Sequence, residues 1–382
     1  MESGNKPERR LQLRADWQIA LAISAVLRFF YSAFAAVAAA VLHPQPGLIR
    51  SNALTENLPS PGNWHYVLLG IWERFDTLWY LRIAEHGYDL PATVVFYPLY
   101  PALIRASSWI VKPAAAALLI STVGAFFYFQ GLMRLARAEP RQSRPLRTLA
   151  LAAVWPASFF FFAGYTEALA TSLIVWCIVW ARDEHWLAAA LCACAAGLTR
   201  SAGTLLIIPL VIMAWRAHGS RSSRAWILLA PSGTLGYWFW LRQTGRLSIA
   251  TAYRTYWTTE VAPPWTTLGR AFRSLANRFD PMVVVSLVAL ALFFFAGVVA
   301  RRKIKIEDRW FSVAVIVHVL LRLCSPPLLG APRYLLPVYP AYLTMGQWVE
   351  KMNSTRFAFL CAALFALNLA WMWEFLSWSL VL

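Results

Sequence analysis

Charge is scarce in this chain. Only 14% of its 382 residues are Asp, Glu, Lys or Arg, where a soluble globular chain carries about a quarter. Acidic residues are the scarcer sign, 18 against 35 basic ones. With 59% of the residues apolar, a water-soluble core has no room for that much hydrophobic surface. The chain also lacks a glycine-rich phosphate loop, a nucleophile elbow and a zinc motif, which points away from soluble nucleotide substrates. Cysteines number five: Cys177, Cys192, Cys194, Cys324 and Cys361. They lie in or beside apolar segments, without metal-ligand spacing or a disulfide framework, and read as small packing residues. His65 and His86 are too isolated to specify a metal site. No internal repeat, low-complexity tract or soluble domain is visible. The first apolar run is too long for a cleavable leader and has no small-residue cleavage site, so it reads as an anchor.

What remains is a set of long apolar segments separated by basic turns. The net charge of +17 would point to nucleic acid in a soluble protein. Here the basic residues cluster between apolar runs, so positive-inside bias and lipid phosphates account for them, and no nucleic-acid partner is expected. The fold class expected is all-α: a polytopic membrane protein with about eleven transmembrane helices and interfacial helices in its first outer loop.

Residues 1–16 form a cytoplasmic tail, and residues 17–382 form a single transmembrane domain. The first span is 17–42 and carries Arg28 inside it, either a functional charge or the partner of a structural carboxylate. Residues 43–112 form the first extracytoplasmic loop. Its part 43–61 reads as irregular, and Trp64 to His86 reads as an interfacial helix. Segment 96–111 has Pro98, Pro101 and Arg105. If it crossed, the loop with Arg134, Arg137, Arg141, Arg144 and Arg147 would face outward, against the charge rule. It is therefore expected to be interfacial or half-inserted. Further spans follow at 114–135, 146–163, 165–181, 186–198, 203–216, 225–241, 282–300, 310–323, 335–349 and 357–381. Spans 186–198 and 203–216 are short for a core of about 30 Å and read as half-helices meeting at a buried turn. A second large extracytoplasmic loop, 242–281, is basic, as contact with anionic lipid or a phosphate would allow.

Four places carry charge where chemistry needs it. The first is Asp76, in Arg74-Phe75-Asp76-Thr77-Leu78-Trp79-Tyr80. On one continuous helix it borders an apolar stripe of Trp72, Phe75, Trp79 and Ile83, with Arg74 and Glu85 on the far side. A partly desolvated carboxylate there suits a general base, and Trp79 and Tyr80 offer rings for a sugar. The plain alternative is an interfacial helix with a solvated Asp. The second is Glu167, a substrate or metal contact, or simply a helix-starting carboxylate. The third is Arg200, between Gly197 and Gly203, placed to hold a lipid phosphate or to pair with Glu167 or Asp76. The fourth is Arg333-Tyr334, a substrate contact or a snorkelling arginine in an aromatic belt.

Phe75-Asp76 with Tyr80, Ile83-Ala84 and Gly87-Tyr88, followed by Pro98-Leu99-Tyr100-Pro101, resembles the first-loop signature of the PIG-V-like family, GPI mannosyltransferase 2 and its bacterial relatives. Pro156-Ala157-Ser158-Phe159-Phe160 with Tyr165-Thr166-Glu167, then Thr199-Arg200-Ser201-Ala202-Gly203, then Arg333-Tyr334 with Pro337 and Pro340, are similar to that family in the same order. The resemblance runs from about residue 17 to 350. Phe75 stands where the family commonly has Trp, and Thr166 where it has Ser. The resemblance implies a membrane glycosyltransferase of the GT-C type. Such enzymes move a sugar, here expected to be mannose, from a polyprenyl- or dolichyl-phosphate carrier to an extracytoplasmic or lumenal acceptor, with inversion. The acceptor would be a glycolipid, glycan or protein. Asp76 would be the catalytic base, Arg200 and Arg333 would hold the leaving phosphate, and Glu167 would orient the acceptor or a metal. No cofactor is required by the resemblance, and a divalent metal is left open. Compact loops lean toward a bacterial plasma membrane. The competing class is transport: a lipid-linked-sugar flippase or secondary transporter. The absence of an internal repeat speaks against it.

Overall fold

A computed structural model describes residues 6–42, 63–139, 142–217, 220–300 and 304–379. The irregular stretch expected at 43–61, Arg141 and the basic residues 301–303 lie outside the described residues. The described residues are 76% helical with almost no strand. Four helices are long and apolar enough to cross a membrane: Arg14–Val41, Pro113–Arg137, Pro281–Val299 and Ser354–Leu376. Elsewhere the expected spans are shorter or broken. Residues 145–154 are helical and residues 158–161 form a 3-10 turn. Ser201–Leu206 is a 3-10 turn leading into helix Ile207–Arg216.

Pro156 explains the first break, because proline supplies no backbone donor and clashes with the preceding turn. Interrupted backbone at membrane depth is tolerated where protein surrounds it, and residues 155–168 are buried throughout. The freed carbonyls have partners. The Asn368 side-chain amide donates to Trp155 O at 2.8 Å and Pro156 O at 3.2 Å. Tyr31 donates to Asn368 Oδ1 at 3.0 Å. Arg28 donates to Phe162 O at 2.6 Å, to Leu118 O and to Thr122, with Trp72 and Phe162 rings beneath it. It pairs with no carboxylate among the described residues, which corrects the pairing alternative; its Nε donates to the Thr122 hydroxyl and its Nη2 to the two carbonyls.

Side-chain contacts define two poles. At one pole Arg137 pairs with Asp16, Arg134 with Asp183, Arg182 with Glu139 and Asp308, and Arg216 with Glu307. The helix Glu167–Arg182 runs from there to the opposite pole, a rise of about 24 Å at 1.5 Å per residue. That opposite pole gathers Asp76, Glu167, Arg200 and Arg333. Within 96–111 only Leu99–Ser107 is α-helical, a rise of about 14 Å, too short to cross. Trp109 and Ile110 are almost fully exposed at its tip.

The stretch Trp64–His86 is not one helix. It divides into helix Trp64–Leu68, a 3-10 turn Gly70–Trp72 and helix Asp76–His86. Gly70 and the positive φ of Phe75 (47°) mark the breaks. Arg74 is consequently not on a solvated far side. It is buried, donating to Leu376 O and Gly70 O at 3.0 Å each and to the Tyr66 hydroxyl at 2.8 Å.

Candidate functional site

Asp76 is the first residue of its helix. A bulky residue at positive φ is strained, and Phe75 before it is such a residue. Its ring is held against Phe375 and Trp378, with centroids at 5.6 and 5.0 Å. On the other side the Asp76 helix presses onto the turn 163–166. A Cβ on Gly164 would lie 2.6 Å from Thr77 Cγ2, so glycine is what permits that approach. The Asp76 backbone N–H donates to the Tyr165 hydroxyl at 3.2 Å.

Arg333 binds the two carboxylates together. Its Nη1 donates to Asp76 Oδ2 at 2.9 Å, and its Nη2 donates to the Tyr334 hydroxyl at 2.7 Å. Its Nε lies 3.3 Å from Glu167 Oε1, close enough for charge pairing but poorly aligned for a hydrogen bond. Phe160, Tyr165 and Tyr334 present ring faces to the guanidinium at 5.4, 5.2 and 4.8 Å. Arg200 Nη1 bonds to the same Glu167 oxygen. The ion-pair alternative for Arg200 is therefore the one observed. Gly203 packs its Cα directly on the backbone of Ala196 and Gly197, which fixes the turn that aims Arg200. Arg333 and Glu167 are buried, and Asp76 retains 22% side-chain exposure. That exposure matters because a proton acceptor must be reachable by its partner.

Asp76, Tyr80, Arg200, Arg333 and Tyr334 line one cavity of about 120 Å³. Glu167 stands behind its arginines. Trp79 does not reach the cavity. It stacks on Phe96 and meets Trp257 edge-on, and those two rings do line it. The aromatic wall is thus Phe96 and Trp257, with Trp79 as its backing. Periodicity on a single helix put Trp79 beside Asp76 as a ring for a sugar, while Trp257 comes from far along the chain.

Other lining residues escaped sequence reasoning: Tyr253, His318 and Arg322. His318 and Arg322 fall inside or at the end of the segment expected to span at 310–323, and an ionisable residue there is a signal in its own right. His318 Nε2 lies 3.0 Å from Ser201 Oγ. Burial pushes the Tyr334 phenol up, but the guanidiniums of Arg322 and Arg333 outweigh it and hold the pKa below the usual 10.0.

No three His, Cys, Asp or Glu side chains converge as a metal site among the described residues. Asp76 and Glu167 each give one carboxylate oxygen to arginine. Chemically, the cavity offers one reachable carboxylate beside several fixed cations, with aromatic rings opposite. That arrangement suits proton uptake next to an anionic group. A scan against models of protein families, a search of curated proteins and a search of solved structures each found no match.

Proposed function

We infer that this chain is a membrane glycosyltransferase using a polyprenyl- or dolichyl-phosphate sugar, mannose first among those expected. The acceptor is an alcohol on a glycolipid, glycan or protein at the extracytoplasmic face. The observation that carries the reading is the partly exposed Asp76 at a cavity it shares with Arg200, Arg322 and Arg333. In the reaction the acceptor oxygen attacks the anomeric carbon and gives its proton to Asp76. The bond from that carbon to the phosphate oxygen breaks, and the lipid phosphate leaves with the electron pair. Fixed guanidiniums stabilise the charge that develops there. Arg333 holds Asp76 by one oxygen and leaves the other to accept the proton. Phe96 and Trp257 give a sugar ring faces to stack on.

The topology that accompanies this reading has about eleven crossings, with the arginine-rich pole in the cytoplasm and the Asp76 pole outside. A bacterial plasma membrane suits it. The test is incubation of the purified protein with polyprenyl-phosphate-mannose and candidate acceptors, read by mass spectrometry. Asp76→Asn is expected to lower transfer by about 10²–10⁴-fold with the protein still folded and inserted. Transfer at the wild-type rate would remove Asp76 from the mechanism, and a transporter would move its substrate without forming any glycoside.

A further inference from the structure

Beside the polar cavity lies a second one of about 800 Å³, whose apolar wall is Trp238, Leu241, Ile249, Ala250 and Val261 and whose lining also includes Arg242, Arg246 and Arg254. The two share Tyr97, Ser201, Tyr253, Thr259, His318 and Arg322, so Arg322 stands where they meet. A two-residue ribbon holds it there: Arg322 pairs with Val261 and Leu323 with Glu260. Its guanidinium lies over the Tyr334 ring at 4.2 Å and the Tyr253 ring at 5.1 Å.

Charge distinguishes this arginine from the two others of the polar cavity. Arg200 faces Glu167, and Arg333 faces both Asp76 and Glu167. No carboxylate of the described residues lies within ion-pair distance of Arg322, although Glu260 also lines the larger cavity. Of Arg200, Arg322 and Arg333, which line the polar cavity, Arg322 is the one outside ion-pair distance of Asp76 and Glu167. A guanidinium in that position is built for an anion, and its planar donors match phosphate oxygens. The apolar cavity opening from the same point fits hydrocarbon. Free phosphate satisfies the first feature only; a phosphate bearing a hydrocarbon chain satisfies both.

We propose that Arg322, flanked by Tyr253 and Tyr334, binds the phosphate of the lipid-linked donor, and that the apolar cavity takes the first units of its chain. Arg200 and Arg333 then hold Glu167 and Asp76 in place. This rests on the glycosyl-transfer reading and relocates the phosphate from Arg200, the residue the family resemblance favours.

The test measures binding of geranylgeranyl phosphate, geranylgeraniol and inorganic phosphate to the full chain in nanodiscs, by native mass spectrometry. The wild type should take geranylgeranyl phosphate in preference to the other two. Arg322→Gln should weaken it by about tenfold or more, the value of a charged hydrogen-bonded contact, while Arg322→Lys keeps part of the affinity. Ala250→Trp fills the apolar cavity without touching the cation. It should weaken the lipid phosphate and leave inorganic phosphate unchanged, so the proposal does not depend on Arg322→Gln folding. Undiminished affinity in both Arg322→Gln and Ala250→Trp would overturn this site and leave sugar transfer standing. Equal affinity for inorganic and lipid phosphate would overturn the chain-binding half. A wild type that binds no lipid phosphate and forms no glycoside would overturn the glycosyl-transfer reading itself.

Discussion

Glu167 shows how a single buried charge holds the site. Only 2% of its side chain is exposed, and it neutralises Arg200 and part of Arg333. Removing one partner of a buried ion pair leaves the other uncompensated, at a cost of about 3–5 kcal/mol. Glu167→Gln should therefore lower thermal stability in detergent, and an unaltered melting temperature would contradict the buried pairing. Tyr334 gives a pH prediction. Arg322, Arg333 and Arg200 face its phenol, as do Asp76 and Tyr253. Because its pKa lies below the usual 10.0, the phenol ionises earlier than a free tyrosine as pH rises. The phenolate would then repel an incoming phosphate. The donor KM of the wild type should rise on the alkaline side before pH 10.0, and Tyr334→Phe should flatten that rise. The same alkaline profile in the variant would show that another group is responsible.

At the scale of elements, the site depends on breaks in helices more than on the helices. Phe75 interrupts the first-loop helix so that Asp76 starts a new one. Pro156 interrupts another, and Asn368 and Arg28 take up the carbonyls released around it. Gly164 lets the turn and the Asp76 helix touch. Gly164→Ala should push Thr77 back by a fraction of an ångström or more and swing Asp76 with it. A displacement near 1 Å can cost about 10²-fold in rate, so transfer should fall steeply while lipid-phosphate binding stays near wild type. A variant with full transfer would mean that the close packing at Thr77 does not position Asp76.

At the scale of the whole molecule, the two poles divide the charge. One is a set of structural ion pairs among Asp16, Arg137, Arg182 and Asp308. The other holds the cavities. Glu85, near the end of helix Asp76–His86 and ahead of segment 96–111, and Ser143, in the arginine-rich turn, are both exposed. Cysteines placed at these two positions should react with a membrane-impermeant reagent from opposite sides. Labelling of both from one side would overturn the proposed topology and make 96–111 a crossing.

The all-helical class, the membrane-length helices and the positions worth suspecting were legible in the order of residues. Apolar periodicity and the cost of a charge in hydrocarbon act locally along the chain, and Asp76, Glu167, Arg200 and Arg333 were conspicuous for that reason. Their partners were not. Whether Arg200 meets a phosphate or Glu167 depends on how three segments far apart in the chain pack around Gly203 and Tyr334. The burial of Arg74, the demotion of Trp79 behind Phe96, and the unneutralised charge at Arg322 are likewise products of packing. A residue's type sets what its charge costs; only the tertiary fold decides which other group meets that cost, because the answer lies in distances between segments the sequence keeps apart.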